Sequence, residues 1–120
     1  MAGQEQRRYS APMTDTAAQP DADTAPVVLI NVFKVQPDRQ DELLEMLAAL
    51  TRAQVGLPGF VSATLHRGLN GKTVANQAVW RSVEDWKAMT RNDAVSTAML
   101  PIMAIATFEP NLYEAGEVIE

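Results

Sequence analysis

A chain of 120 residues, 47% of them apolar, is long enough for one packed domain and too short for two. A formal charge of −5 argues against a nucleic-acid partner, which would want a basic face, and no apolar run approaches the length needed to span a membrane. With no cysteine and a single histidine, disulfides, thiolate nucleophiles, iron–sulfur clusters and structural zinc are excluded, and a histidine-based metal site nearly so.

Residues 1–26 are rich in Ala, Thr, Asp, Gln and Pro without apolar periodicity, and read as a flexible arm ahead of one folded domain over 27–120. Arg7-Arg8 looks like a twin-arginine signal, but SAPMTDTAAQPDADTAP follows it in place of an apolar stretch, so a cytoplasmic protein is expected. From Val27 the composition changes. VVLINVFKV is a β-branched run apolar on both parities, which predicts a strand covered on both faces. Pro37-Asp38 then opens a helix, with Asp38 as its N-cap and Leu43, Leu44, Leu47 and Leu50 as its buried stripe, until Leu57-Pro58-Gly59 breaks it.

Phe60 to Arg67 and Thr73 to Arg81 read as strands joined at Asn70-Gly71, a strong hairpin signal. A two-residue turn there pairs Leu69 with Lys72. It sets Leu65 opposite Asn76, Ala63 opposite Ala78 and Val61 opposite Trp80, and turns Phe60 and His66 to the other face. Ser82 to Asp85 is a capping-box-like helix start with Trp86 and Met89 on its inner side. Asn92 or Asp93 caps a further helix with Val95, Ala98 and Met99 inward, which Pro101 ends or kinks. Met103, Ile105 and Phe108 lead into a last strand through Leu112-Tyr113. The order strand, helix, strand, strand, helix, strand predicts an α+β fold, the ferredoxin-like plait (βαββαβ). Its helices cover one side of the sheet only. The other face, also partly apolar, is expected to meet the same sheet of a second copy, giving a C2 homodimer that closes into a dimeric α/β-barrel.

Asn31, Asn76 and Trp80 share sheet parity inside otherwise apolar strands. Asparagine is depleted in strands, and a buried amide without partners costs a few kcal/mol, roughly. Two of them in matched parity beside an indole, in a chain with two Trp, two Tyr and three Phe, point to a lined cavity more than to plain packing. An amide there can stabilise charge building on a substrate oxygen but cannot act as a strong base. Val61, Leu65, Phe33, Trp86 and Met89 are expected to line the same cavity, although Trp86 suits a core position equally well. His66, the only candidate imidazole base, turns away from it by the hairpin register. Arg67 has cavity parity at the rim.

These residues resemble the antibiotic biosynthesis monooxygenase family, and within it the cofactor-free anthrone oxygenases of aromatic polyketide pathways. The resemblance runs from about Val28 to Tyr113. It is carried by the first-strand Asn in INVF, the second strand PGFVSATLH, and NQAVW followed by SVEDW. It implies that Asn31, Asn76 and Trp80 are the residues active in catalysis, with no cofactor and no metal, O2 as co-substrate, an aromatic small molecule as substrate, and no nucleic-acid or membrane partner. Several members carry Tyr where this chain has Leu65. The haem-degrading branch of the fold needs a helix histidine, and none follows His66. The implied reaction takes an anthrone or hydroquinone to the quinone by way of a substrate carbanion and a peroxide, the Asn amides stabilising the substrate oxyanion. The alternatives are a non-oxidative polyketide cyclase and a non-catalytic ligand-binding dimer on the same fold.

Overall fold

The computed structural model describes residues 25–120, so the arm expected over 1–26 lies outside the described residues but for its last two positions. The chain runs through β1 (Val27–Val35), a 3-10 turn (Pro37–Arg39), α1 (Gln40–Gln54), β2 (Phe60–Arg67), β3 (Thr73–Trp80), α2 (Val83–Thr90), α3 (Asp93–Ile105) and β4 (Ala106–Glu114). The four strands form one sheet in the order β2-β3-β1-β4. Every neighbouring pair is antiparallel. This is the expected ferredoxin-like plait, its second helical crossover divided in two. No helix among the described residues is long and apolar enough to cross a membrane.

Side-chain parity divides the sheet. Val27, Leu29, Phe33 and Val35 of β1 are buried with Val74, Ala78 and Trp80 of β3, against Leu43, Leu47 and Leu50 of α1 and Ile102 of α3. On the opposite face Ile30, Val32 and Tyr113 are exposed in the single chain, so within one chain the helices cover one face of β1 and the open face is the one expected to meet a second copy. That face has no helix over it, because both crossovers lie on the same side of the sheet.

Three local expectations are corrected. Asp38 does not cap α1; it lies inside the 3-10 turn, and no side chain caps the helix at Arg39. The proline at the first position of the turn fixes a tight entry, which α1 continues. Pro101 does not end α3, which runs on to Ile105 and takes in Met103 and Ile105. Val95, Ala98, Met99, Ile102 and Ile105 keep one helical stripe against the core, and that packing outweighs the backbone bond the proline lacks. The hairpin closes through Gly68 N–H to Thr73 O at 2.8 Å, with a turn from Gly68 to Gly71 inside it. The loop is therefore four residues long, yet Leu65 still faces Asn76. Lengthening the loop by one residue on each side leaves register unchanged.

Gln40, at the start of α1, is buried, and its Nε2 donates to Gly68 O and to Thr73 O, both at 2.9 Å. It ties the helix to the base of the hairpin. Gln40→Ala leaves two part-buried carbonyls short of a donor and is expected to lower stability by about 1–3 kcal/mol. An unchanged urea midpoint would show that water replaces the amide without cost.

Candidate active site

The helix-covered face of the sheet can be read in cross-strand rows. Leu65, Asn76, Asn31 and Pro110 form one row, paired directly across all four strands. Arg67, Val74, Phe33 and Phe108 form the next row towards the hairpin. On the other side lie Ala63, Ala78, Leu29 and Leu112, and then Phe60, Trp80 and Val27. The two amides are thus direct partners on adjacent strands, with Cβ atoms about 5 Å apart. Trp80 is four residues along β3 from Asn76, a separation of about 13 Å at the usual strand rise. Between them lie the small side chains of Ala63 and Ala78.

Asn31 is 8% exposed and Trp80 fully buried. Asn31 Oδ1, Asn76 Oδ1, Trp80 Nε1 and Trp86 Nε1 are buried without a hydrogen-bond partner among the described residues. Each such atom costs about 1–3 kcal/mol relative to a satisfied one. A few such atoms per hundred residues is usual in folded chains; here the four gather on one sheet face and the helix above it, as three amide and indole groups of that face and the indole of the helix. The arrangement suits a bound molecule with its own polar atoms, because each orphan would gain a partner when the molecule enters.

A corner of backbone geometry fixes the indoles. Gly59 has φ +86°, and a Cβ there would come within 2.4 Å of the Asp85 side chain. Its carbonyl accepts from Arg81 N–H at 2.7 Å. A bulge between Phe60 and Ser62 then pairs Phe60, not Val61, with Trp80. The Phe60 ring meets the indole edge-on, 5.4 Å between centroids and 90° between planes. On the far side Ser82 caps α2, accepting from Asp85 N–H at 3.1 Å and donating its hydroxyl to Asp85 Oδ2 at 3.0 Å. Arg81 Nε donates to the same carboxylate at 2.9 Å. Trp80 and Trp86 are held on either side of this clamp.

Sequence-based expectations fare unevenly here. Asn31, Asn76 and Trp80 share the covered face, with Leu65 beside Asn76 and Trp86 above. Val61, expected opposite Trp80, is 58% exposed because the bulge displaces it. Phe60 takes its place, having been assigned to the other face by the unbulged register. Phe33 has the expected parity, but its ring packs on Phe108, 5.2 Å between centroids, one row from the amides. Met89 is buried, and its sulfur accepts from Gln54 Nε2 at 3.7 Å. Gln54 is a further buried amide that sequence reading passed over, since a glutamine in the last turn of a helix usually meets solvent. His66 lies exposed on the opposite face, 3.3 Å from Gln77 Oε1. Among the described residues no group of three His, Cys, Asp or Glu side chains could hold a metal ion.

The family model described as antibiotic biosynthesis monooxygenase matches residues 26–99. Tetracenomycin-F1 monooxygenase of Streptomyces glaucescens is 47% identical over 62 residues, covering 51% of this chain and 55% of that protein. The chain thus matches just over half the length of that relative. Among solved structures, SnoaB of Streptomyces nogalater, described as a cofactor-independent oxygenase, superposes with a TM-score of 0.66 at 23% identity, covering 79% of this chain and 97% of that one. A Mycobacterium tuberculosis protein superposes with a TM-score of 0.70 at 16% identity, covering 80% and 100%. At these identities the structural likenesses show the fold.

The unpartnered amides generate a stability test. Asn31→Leu replaces a buried, unpaired acceptor with an apolar side chain of the same branching and heavy-atom count, and is expected to raise stability by about 1 kcal/mol in the ligand-free protein. A fall of the same size in the urea midpoint would mean that the amide has a structural partner.

Proposed function

Since the chain belongs to the antibiotic biosynthesis monooxygenase family, we propose that it oxidises an aromatic polyketide-type anthrone or hydroquinone to the quinone, with O2 as co-substrate and without metal or flavin. The observation that carries this reading is the set of buried, partnerless polar atoms on Asn31, Asn76, Trp80 and Trp86. They are what an apolar cavity needs in order to hold a phenolic molecule. The distance of about 13 Å between the amide row and Trp80 suits an extended fused-ring skeleton lying over Ala63 and Ala78 better than a single ring.

An asparagine side chain offers both an acceptor and donors, and a half-turn about its last torsion exchanges them. Oδ1 of Asn31 or Asn76 accepts a hydrogen bond from the phenolic hydroxyl of the substrate, and Nδ2 donates to the oxygen on which charge collects. Deprotonation at the reacting carbon gives a delocalised carbanion. One electron passes to O2, the substrate radical and superoxide recombine to a peroxide, and loss of water leaves the new carbonyl. In an anthrone the CH2 group and O2 thus become C=O and H2O, with the substrate as the only electron donor; a hydroquinone has no such CH2 and would give the quinone and H2O2. The protein's part is to exclude water, hold the anion and keep the radical pair together.

The core-facing strand positions carry no carboxylate or imidazole beside the amides, so the proton leaves to the substrate's own phenolate or to a bound water. A non-oxidative cyclase would want an ionisable pair aimed at the amide row. The exposed apolar side chains Ile30, Val32 and Tyr113 on the uncovered face suit a second copy of the sheet, and we assign the active form as a homodimer at work in the cytoplasm.

Incubation with a model anthrone in air and under nitrogen tests the reading. Quinone should form only in air, and at the same rate after treatment with EDTA. Turnover under nitrogen would indicate a cyclase, and binding without turnover a carrier.

Asn76→Ala is expected to lower kcat by about 10²–10³ in a protein that stays folded, the usual loss for a donor aimed at a developing oxyanion. Trp80→Phe keeps the apolar wall and loses the N–H, so it separates stacking from donation. By contrast His66→Ala should leave kcat within about fivefold, or about 1 kcal/mol of transition-state stabilisation. Normal turnover by folded Asn76→Ala, or a thousandfold loss in His66→Ala, would overturn the assignment of the reacting face.

A further inference from the structure

We propose that Arg67 is a specificity residue that binds a carboxylate carried by the aromatic substrate through the edge of its guanidinium that Asp41 leaves free; the inference rests on the amide row being the substrate site. Along the core-facing strand positions Arg67 is the only cation, the one other charge being Glu114 at the far corner of the sheet. It lies directly opposite Val74 and diagonal to Asn76, with Cα atoms about 7–8 Å apart, a distance an arginine side chain spans. Leu65, two residues before it on the same face, borders the amides. Arg67 therefore stands at the hairpin end of the proposed cavity with its side chain directed towards α1.

The way it is held matters. Arg67 Nη1 donates to Asp41 Oδ1 and, at 3.3 Å, to Gln40 Oε1. Gln40 is fixed by its own bonds to Gly68 O and Thr73 O, so its Oε1 is a stationary acceptor that aims the guanidinium. The neighbouring acid Glu42 is taken by Arg39 at 2.9 Å, which leaves Asp41 as the carboxylate that meets Arg67. The Asp41 side chain is 81% exposed and that of Arg67 48%. An ion pair in so much water is weak and readily exchanged. Among the described residues Nε and Nη2 of Arg67 have no partner, so half of the guanidinium fork is open. A planar oxyanion fits that edge with two parallel N–H bonds, which is why arginine rather than lysine suits the position. Bound there, the carboxylate fixes which end of a long fused-ring molecule faces the hairpin and so which carbon lies at Asn76.

The two members of the ion pair make opposite predictions, which a purely structural bridge does not. Binding is measured under nitrogen, so that no turnover occurs, by quenching of tryptophan emission with a hydroxyanthrone carboxylic acid and with the same anthrone lacking the carboxylate. Arg67→Gln should weaken binding of the acid about tenfold or more and leave the neutral probe unchanged. Arg67→Lys keeps the charge, loses the fork and should fall between. Asp41→Asn removes the negative charge beside the guanidinium, which repels a second carboxylate, and should tighten binding of the acid while leaving the neutral probe alone. The proposal is overturned if the wild-type protein binds both probes equally, if Arg67→Gln weakens both alike, or if Asp41→Asn weakens the acid. If the acid binds through Arg67 but no quinone forms in air, the oxygenase reading fails while this inference stands.

Discussion

The site depends on one constraint: β1 is paired at a single register with β3 on one side and β4 on the other. That pairing sets Asn31 between Asn76 and Pro110 and puts all three on the helix-covered face. A slip of one residue in either ladder would send an amide to the open face and bury Ile30 or Val32 in its place. The apolar residues of the same face hold the register. Leu29, Phe33, Val74 and Ala78 can be buried only in the alignment that also buries the amides. Pro110 fits because β4 is an edge strand, where a missing N–H leaves no partner unsatisfied on the outer side.

Around this centre the fold keeps polar atoms unpaired inside an otherwise apolar layer. The cost is borne by a core in which Leu43, Leu47, Phe33, Val74, Trp80 and Ile102 are almost wholly buried. The corner formed by Gly59, Phe60, Arg81, Ser82 and Asp85 acts differently. Its hydrogen bonds are complete, so it orders the backbone on either side of Trp80 and starts α2 at a set angle. Satisfied groups at the corner therefore position the unsatisfied indoles on the covered face. At the other end Gln40 does the same for the hairpin, and the exposed Arg67–Asp41 pair lies just outside it.

Sequence patterning captured the element order, the parity of Asn31, Asn76 and Trp80, the Ser82 cap and the register at Leu65 and Asn76. These rest on short-range rules: period two in strands, turn chemistry at Asn70-Gly71, and side-chain acceptors at helix starts. Register was right even though the loop is longer than a two-residue turn, because the added residues fall equally on both strands. The misplacements have different origins. Val61 and Phe60 exchange roles at a bulge, which the alternation of apolar and polar residues does not record. Pro101 remains helical because Ile102 and Ile105 are anchored in the core, a tertiary term that outweighs local propensity.

The sequence by itself determined which polar groups the covered face has to offer. It contains no thiol and one imidazole, and it places two strand amides and an indole on one parity, all of which follow from composition and period. Only the tertiary structure decided which of them meet. Asn31 and Asn76 are 45 residues apart along the chain and become direct neighbours through a ladder that no local signal specifies. The edge-on contact of Phe60 with Trp80, the amide of Gln54 at Met89, and the turning of Arg67 to Gln40 and Asp41 likewise arise from packing between distant segments. Periodicity fixes the direction of a side chain relative to its own strand; what it touches is fixed by the strands and helices brought alongside.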